Sequence, residues 1–168
     1  MLDAFDIDVI AQGIGFIALF LGVYAYLSQD DRKLRILMSI QSCFLCSHFF
    51  LLDSMTASSV FAVLAVRNFF SLFYKARNFW PIFVVFYIVL GLYNYQEWQD
   101  ALPIVASCGT TYAYFKLSGI PMRLLLFNGA VLYFIHNVVV GSIGPSITEL
   151  LLVVVTLSTI YRLYKETV

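Results

Sequence analysis

The chain has 168 residues, 61% of them hydrophobic and 12% charged, and its ten Lys and Arg balance ten Asp and Glu. A soluble domain carries about 25% charge, so the composition excludes an ordinary water-soluble fold, and the lack of a basic excess argues against a nucleic-acid partner. Lipid is the solvent that suits sixteen Phe and eleven Tyr, and each long apolar stretch is expected to be helical because unpaired backbone groups cannot face hydrocarbon.

The N-terminus, MLDAFDID, is acidic and lacks the positive region of a cleavable signal peptide, so the first apolar stretch reads as a retained helix. That stretch, Ile10–Ser28, carries Gln12 and a stripe of small residues, Gly15, Ala18 and Gly22, suited to close packing. The second, Leu34–Leu52, holds Gln41 and His48 seven residues apart on one face, with Cys43 and Cys46 between them. CFLC has redox spacing but no second ligand pair, so these thiols and Cys108 read as packing residues. The third, Ala57–Tyr74, places Arg67 and Asn68 deep in the apolar layer. Phe79–Tyr95 is the fourth and Leu102–Phe115 a short fifth. Pro121–Val140 is the sixth, with Asn128, His136 and Asn137. Ser146–Tyr164 is the seventh, with Glu149 and Thr156 on one face, and its SITE start reads as a capping box. Pro81, Pro103, Pro121 and Pro145 all fall near helix starts, where a missing N–H costs little. Trp80, Tyr95 and Trp98 read as interface anchors.

Seven crossings segregate the charges. Arg32, Lys33, Arg35, Lys75, Arg77, Lys116, Arg123, Arg162 and Lys165 fall on one side, and Asp3, Asp6, Asp8, Asp53, Glu97 and Asp100 on the other. The positive-inside rule then puts the N-terminus outside and the C-terminus in the cytoplasm.

The chain also repeats itself. YAYLSQDDRKLR begins at Tyr24 and YAYFKLSGIPMR at Tyr112, an offset of 88 residues. At that offset Ala18 meets Ala106, Arg35 meets Arg123, Leu37 meets Leu125, His48 meets His136, and Ser54 and Ser58 meet Ser142 and Ser146. The two histidines are all the chain has, and they coincide. A duplicated three-helix unit ends on the opposite face from its start, so a second copy in the same orientation needs one extra crossing. The expected organisation is all-α: a first three-helix bundle over residues 1–77, a linker transmembrane helix over 78–97 and a second three-helix bundle over 98–168. This layout resembles the SWEET and PQ-loop superfamily, which includes vitamin-precursor importers of the nicotinamide riboside type. The segments AQGIGFIALFLGVYAYLSQDDRKLR, HFFLLDSMTASS and IHNVVVGSIGPSITE resemble the YgjV-type bacterial inner-membrane protein family over nearly the whole length. That resemblance implies a bacterial inner-membrane location.

Ionisable groups at bilayer depth are costly and mark function by default. Arg67, Asn68, Glu149 and Thr156 are therefore expected to line a substrate site between the bundles, with His48, His136 and Gln41 as gate or relay groups. The plainer reading makes Arg67 a structural group tied to carbonyls or tyrosines and the histidines interhelical ties. Tyr24, Tyr26, Tyr112 and Tyr114 end helices one and five as anchors or a gate. Two His without neighbouring Cys or carboxylates make too thin a ligand set for a metal, and no cofactor is expected. No G-x-S-x-G, H-E-x-x-H or Walker loop occurs, so the chain does not read as an enzyme. The expected partners are the lipid bilayer and a small polar or anionic solute, and an oligomer is compatible with the composition. The expected function is transport or facilitated passage of that solute; the alternative is a non-transporting receptor or assembly protein.

Overall fold

The computed structural model describes residues 4–53, 55–73, 77–93, 95–141 and 143–167. Asp3, Lys75 and the Ser54–Ser142 identity lie outside the described residues, as do the side chains of Asp6 and Asp8. Among the described residues the α-helices are α1 Ala4–Leu27, α2 Asp31–Leu51, α3 Met55–Phe70, α4 Trp80–Tyr93, α5 Ala101–Lys116, α6 Gly119–Val139 and α7 Ile143–Thr167. A 3-10 turn, Trp98–Asp100, leads into α5.

Helices α1, α2, α6 and α7 are long and apolar enough to cross a membrane. Helices α3, α4 and α5 have 16, 14 and 16 residues, or about 21–24 Å at 1.5 Å per residue, short of the usual 20-residue span. Length and composition thus support four of the seven expected crossings. Helix α3 ends early because its chain tightens after Phe70: the Leu72 and Phe73 N–H groups reach back three residues, to the Phe69 and Phe70 carbonyls. The start of α7 corrects the expectation that Ser146 opens it. The helix begins at Ile143, which puts Ser146 inside the first turn. A capping box does exist, but at Glu97 and Asp100 before α5. All four prolines lie within the first three residues of their helices, as expected.

Local chemistry closes the C-terminal ends of α2 and α6 alike, while an N-cap side chain opens α2 alone of the two. Asp30 caps α2 by accepting the Arg32 and Lys33 N–H groups, at 2.7 and 3.2 Å. At the other end, the Leu52 N–H returns to the His48 carbonyl and Asp53 turns left-handed with φ 55°. In α6 the Val140 N–H returns to His136, and Gly141 takes the left-handed turn at φ 74°. Glycine meets that requirement without a Cβ penalty; Asp is among the few other residues that tolerate it.

Packing is sequential. Helix α1 lies on α2 and α2 on α3; α5 lies on α6 and α6 on α7; α4 leans on α5, and α1 meets α7. Helix α4 has no buried residue. The small residues of α1 let polar groups of α2 lie against it: a Cβ on Gly15 would sit 3.1 Å from the His48 ring, and one on Gly22 would overlap the Gln41 amide. The same antiparallel register recurs between α5 and α6 with the sizes exchanged, since Gly129 of α6 makes room for Thr110 of α5.

The two helix sets close on each other at the end that carries the basic residues. Arg35 Nη2 donates to the Leu117 carbonyl at 2.8 Å, and Arg123 Nη2 donates to the Ser28 carbonyl at 2.9 Å. Asp31 sits between the two sets. Its Oδ2 accepts the Gly119 N–H at 2.6 Å, and its Oδ1 lies 3.0 Å from the fully buried Arg123 guanidinium. Arg77 and Arg162 reach the Lys116 and Leu27 carbonyls at the same end. Beneath these polar ties lies the apolar core, built on Ala25, Tyr26 and Leu34 from one set and Ala113, Tyr114, Phe115, Met122 and Leu126 from the other.

Candidate functional site

Above that core the helices part around a cavity of about 850 Å³, within the 300–1,000 Å³ range of small-molecule sites. Both sets wall it. Gln12, Gln41, His48, Arg67 and Asn68 come from α1, α2 and α3; Thr110, Tyr114, Tyr133, Thr148 and Glu149 come from α5, α6 and α7. Apolar side chains fill the intervals, among them Phe16, Phe49, Phe61 and Leu152. Tyr26 and Tyr114 belong both to the cavity wall and to the apolar core that closes its basic end.

Arg67 has 5% of its surface exposed. Its Nε and Nη2 donate to Asn68 Oδ1, at 3.1 and 2.8 Å, and Nη1 donates to Thr111 Oγ1 at 3.3 Å. The guanidinium also lies over the Tyr114 ring, 4.9 Å from its centroid, and farther from the Tyr87 ring. Amide, hydroxyl and ring faces thus stabilise this cation without a carboxylate among the described ion pairs. Asn68 is held in turn: its Nδ2 donates to the Met38 carbonyl and to Ser42 Oγ on α2, at 3.2 and 3.1 Å. The orientation of Arg67 is therefore set by two neighbouring helices, not by its own flexible stem.

Glu149 lies six residues into α7 and Arg67 twelve residues into α3. Both helices start at the end opposite the basic core, and the backbone of Arg67 lies six residues further along its helix, about 9 Å of rise at 1.5 Å per residue. His48 Nδ1 is 2.7 Å from the Ala11 carbonyl, which ties α2 to α1 and leaves Nε2 as the ring's remaining polar atom. Gln41 lines the same wall, packed against Gly22.

Two expected residues fall elsewhere. Thr156 is fully buried and does not line the cavity; its hydroxyl donates to the Leu152 carbonyl of its own helix at 2.6 Å. Its repeat counterpart Asn68 reaches α2 because the amide is longer and Ser42 is there to receive it. The counterpart of Ser42 is Ala130, so Thr156 bonds back four residues, as mid-helix threonines do. His136 keeps the tie of its counterpart, with Nδ1 3.1 Å from the Gln99 carbonyl, 37 residues away just as Ala11 is from His48. Yet it faces a second cavity of about 400 Å³ with Asp100, Ser107 and Tyr87. The reason is α4. It packs on α5 without an equivalent in the other half and walls off a separate space beside α6. Gate and relay roles for both histidines in one cavity do not fit this arrangement.

Sequence reasoning missed Tyr133 and Thr111. Tyr133 lines both cavities and shares a 2.6 Å hydrogen bond with Ser107, so it forms the partition between them. Thr111 anchors Arg67 across the two sets. Neither carries a signal: Tyr133 is one of eleven Tyr, and Thr111 sits in an apolar stretch with no spacing that marks it. Of the four terminal tyrosines, Tyr26 and Tyr114 are buried while Tyr24 and Tyr112 are exposed; Tyr24 receives Lys33 Nζ at 2.7 Å and Tyr112 meets Trp80 edge-on. The anchor reading suits the outer pair and the gate reading the inner pair. Cys46 Sγ lies 3.4 Å from Ser58 Oγ, joining α2 to α3, whereas Cys43 is exposed.

Residues 9–167 match the Imp-YgjV family, described as bacterial inner membrane protein. The inner membrane protein YgjV of Escherichia coli (strain K12) is 30% identical over 142 residues, which cover 83% of this chain and 76% of that protein. No solved structure matches the chain.

Proposed function

The chain belongs to the YgjV family of bacterial inner membrane proteins, and from that premise we propose that it is a transporter or facilitator for a small polar solute. The observation that carries this reading is the cavity itself. Lipid would exclude Arg67, Asn68 and Glu149, and a wet space between the two helix sets accepts them. The fixed charge of Arg67 favours a solute with an anionic group.

The architecture that fits this function is two parallel three-helix repeats joined by α4, a SWEET-like layout. Its support is the reciprocity of the ties at the basic end. Arg35 reaches the loop after α5 while its counterpart Arg123 reaches the loop after α1. Asp31 touches Gly119, its own counterpart at the 88-residue offset, as a residue on a pseudo-twofold axis must. With seven crossings the N-terminus is periplasmic and the C-terminus cytoplasmic, and the basic end is the closed cytoplasmic end. The short α3, α4 and α5 then span a locally thinned bilayer. Reporter fusions after Val168 and in the connection between α2 and α3 report this directly: they fall on opposite sides, and a shared side refutes the topology.

The functional test is a thermal-stabilisation screen of polar and anionic solutes on the purified full chain, followed by uptake into proteoliposomes. A bound solute raises the midpoint through mass action, and Arg67→Leu abolishes the shift while the protein still inserts. A solute that binds and is taken up equally well by Arg67→Leu removes the role of Arg67. The tightly closed basic end also suits a receptor that binds without transport, which the same experiment would reveal as binding with no uptake.

A further inference from the structure

Resting on the solute-binding reading above, we infer that the cavity takes a zwitterionic solute with an aromatic or similarly flat apolar body, its anionic group at Arg67 and its ammonium group at Glu149. Three observations carry this. First, the wall holds one cation and one acid, Arg67 and Glu149, and the two are not paired with each other; the ion pair among the described residues is Arg123 with Asp31. Second, counted from the helix starts, the backbone position of Arg67 lies six residues further in than that of Glu149, about 9 Å of helix rise. Arg67 lies deeper and is held in place by Asn68 and Thr111. Third, the wall around these charges is made of rings and branched chains, with Phe49 and Phe61 stacked at 5.2 Å and Tyr133 across from them on α6.

The physics favours a neutral dipole over either ion alone. A carboxylate at Arg67 gains a charge-assisted bond but sits within reach of the field of Glu149, which the intervening apolar wall screens poorly. An ammonium group near Glu149 has the mirror problem with Arg67. A solute that carries both groups, spaced to reach both sites, satisfies each charge and leaves the cavity neutral. Its flat middle covers the aromatic wall. An α-amino acid core is too short to reach both sites, because its two charges share one carbon. A spacer of about ring length matches the six-residue offset of the two backbone positions.

The test uses three probes of one shape: 4-(aminomethyl)benzoate, 4-methylbenzoate and 4-methylbenzylamine. Each is titrated calorimetrically into the full chain in lipid nanodiscs. The expected result is that 4-(aminomethyl)benzoate binds about tenfold more tightly than either singly charged probe, the scale of one favourable charge contact in a partly desolvated site. In Glu149→Gln, a near-isosteric change that keeps the helix intact, that advantage over 4-methylbenzoate disappears while 4-methylbenzoate itself still binds. In Arg67→Lys, which keeps the charge in case Arg67→Leu does not fold, the zwitterion retains its preference with weaker binding. Equal binding of 4-methylbenzoate and 4-(aminomethyl)benzoate to the unmodified protein overturns the inference and leaves the solute-binding reading standing. Failure of all three probes at millimolar concentration also overturns it, whereas the broader reading falls only if the full solute screen is blank.

Discussion

The two ends of the bundle are built from the same helices and do opposite things. At the basic end, polar ties and apolar packing coincide: Asp31, Arg35 and Arg123 stitch the loops over a core of Leu34, Tyr114 and Met122. At the other end, the histidines tie each helix pair within its own set, to Ala11 and to Gln99, and the sets separate around the cavity. At the two ends, ties between the sets seal and ties within a set leave room, while Arg67 bridges to Thr111 between them. Comparable polar inventories therefore yield a lock at one end and a binding space at the other, depending on which backbone carbonyl each side chain reaches.

The sharpest way to break that contrast is Asp31→Ala. It strands the fully buried Arg123 and frees the Gly119 N–H, and removing one partner of a buried pair costs about 3–5 kcal/mol. A large fall in thermal midpoint is expected, larger than for Asp53→Ala, whose exposed side chain lies at the opposite end. Next in size is Leu34→Ala, which opens a void in the apolar core at a cost of about 2–5 kcal/mol. Leu45→Ala, on the cavity wall, already borders empty space and should cost measurably less. If the two truncations prove equal, the distinction between a packed and an open end is wrong.

A smaller effect tests the exchanged helix contact. Gly129→Ala drives a Cβ to 2.6 Å from the Thr110 methyl, and that β-branched side chain has little freedom to move. The expected cost is about 1–3 kcal/mol, with Thr110→Ser relieving it in a double-mutant cycle. Gly22→Ala meets the far end of the flexible Gln41 side chain and should be tolerated better.

The smallest expected effect lies in the turn that leads into α5. Two backbone N–H groups, from Glu97 and Gln96, each 2.9 Å away, hold the Asp100 carboxyl below its usual range. A depressed native pKa adds stability that is fully present above the unfolded value and is lost as pH falls through the native one. The thermal-midpoint difference between the unmodified chain and Asp100→Asn should therefore be flat at neutral pH and shrink below about 4. A difference that grows on acidification contradicts the assignment.

Much of this is legible in the sequence. Helix existence followed from apolar runs and their charged breaks, and six of the seven starts lie within three residues of expectation; α1 begins earlier, at Ala4, because an acidic residue near a helix N-terminus is favoured by the dipole and does not end it. Of the polar groups the sequence singles out, Arg67, Asn68, Glu149, Gln41 and His48 border one cavity, in keeping with a hydrocarbon that leaves a polar group few other places to go.

By itself, then, the sequence determined the all-helical membrane character, the family and the set of polar groups that must avoid lipid, because hydrocarbon penalises each such group wherever the helices pack. Which of those groups share a space was decided by the tertiary structure alone. Helix α4 leans on α5 and puts His136 beside a different cavity from His48, although the two keep the same backbone bond. Thr156 turns back on its own helix where Asn68 crosses to the next, because Ala130 offers no partner where Ser42 does. A repeat fixes which residues correspond; only packing against unlike neighbours decides whether they still do the same work.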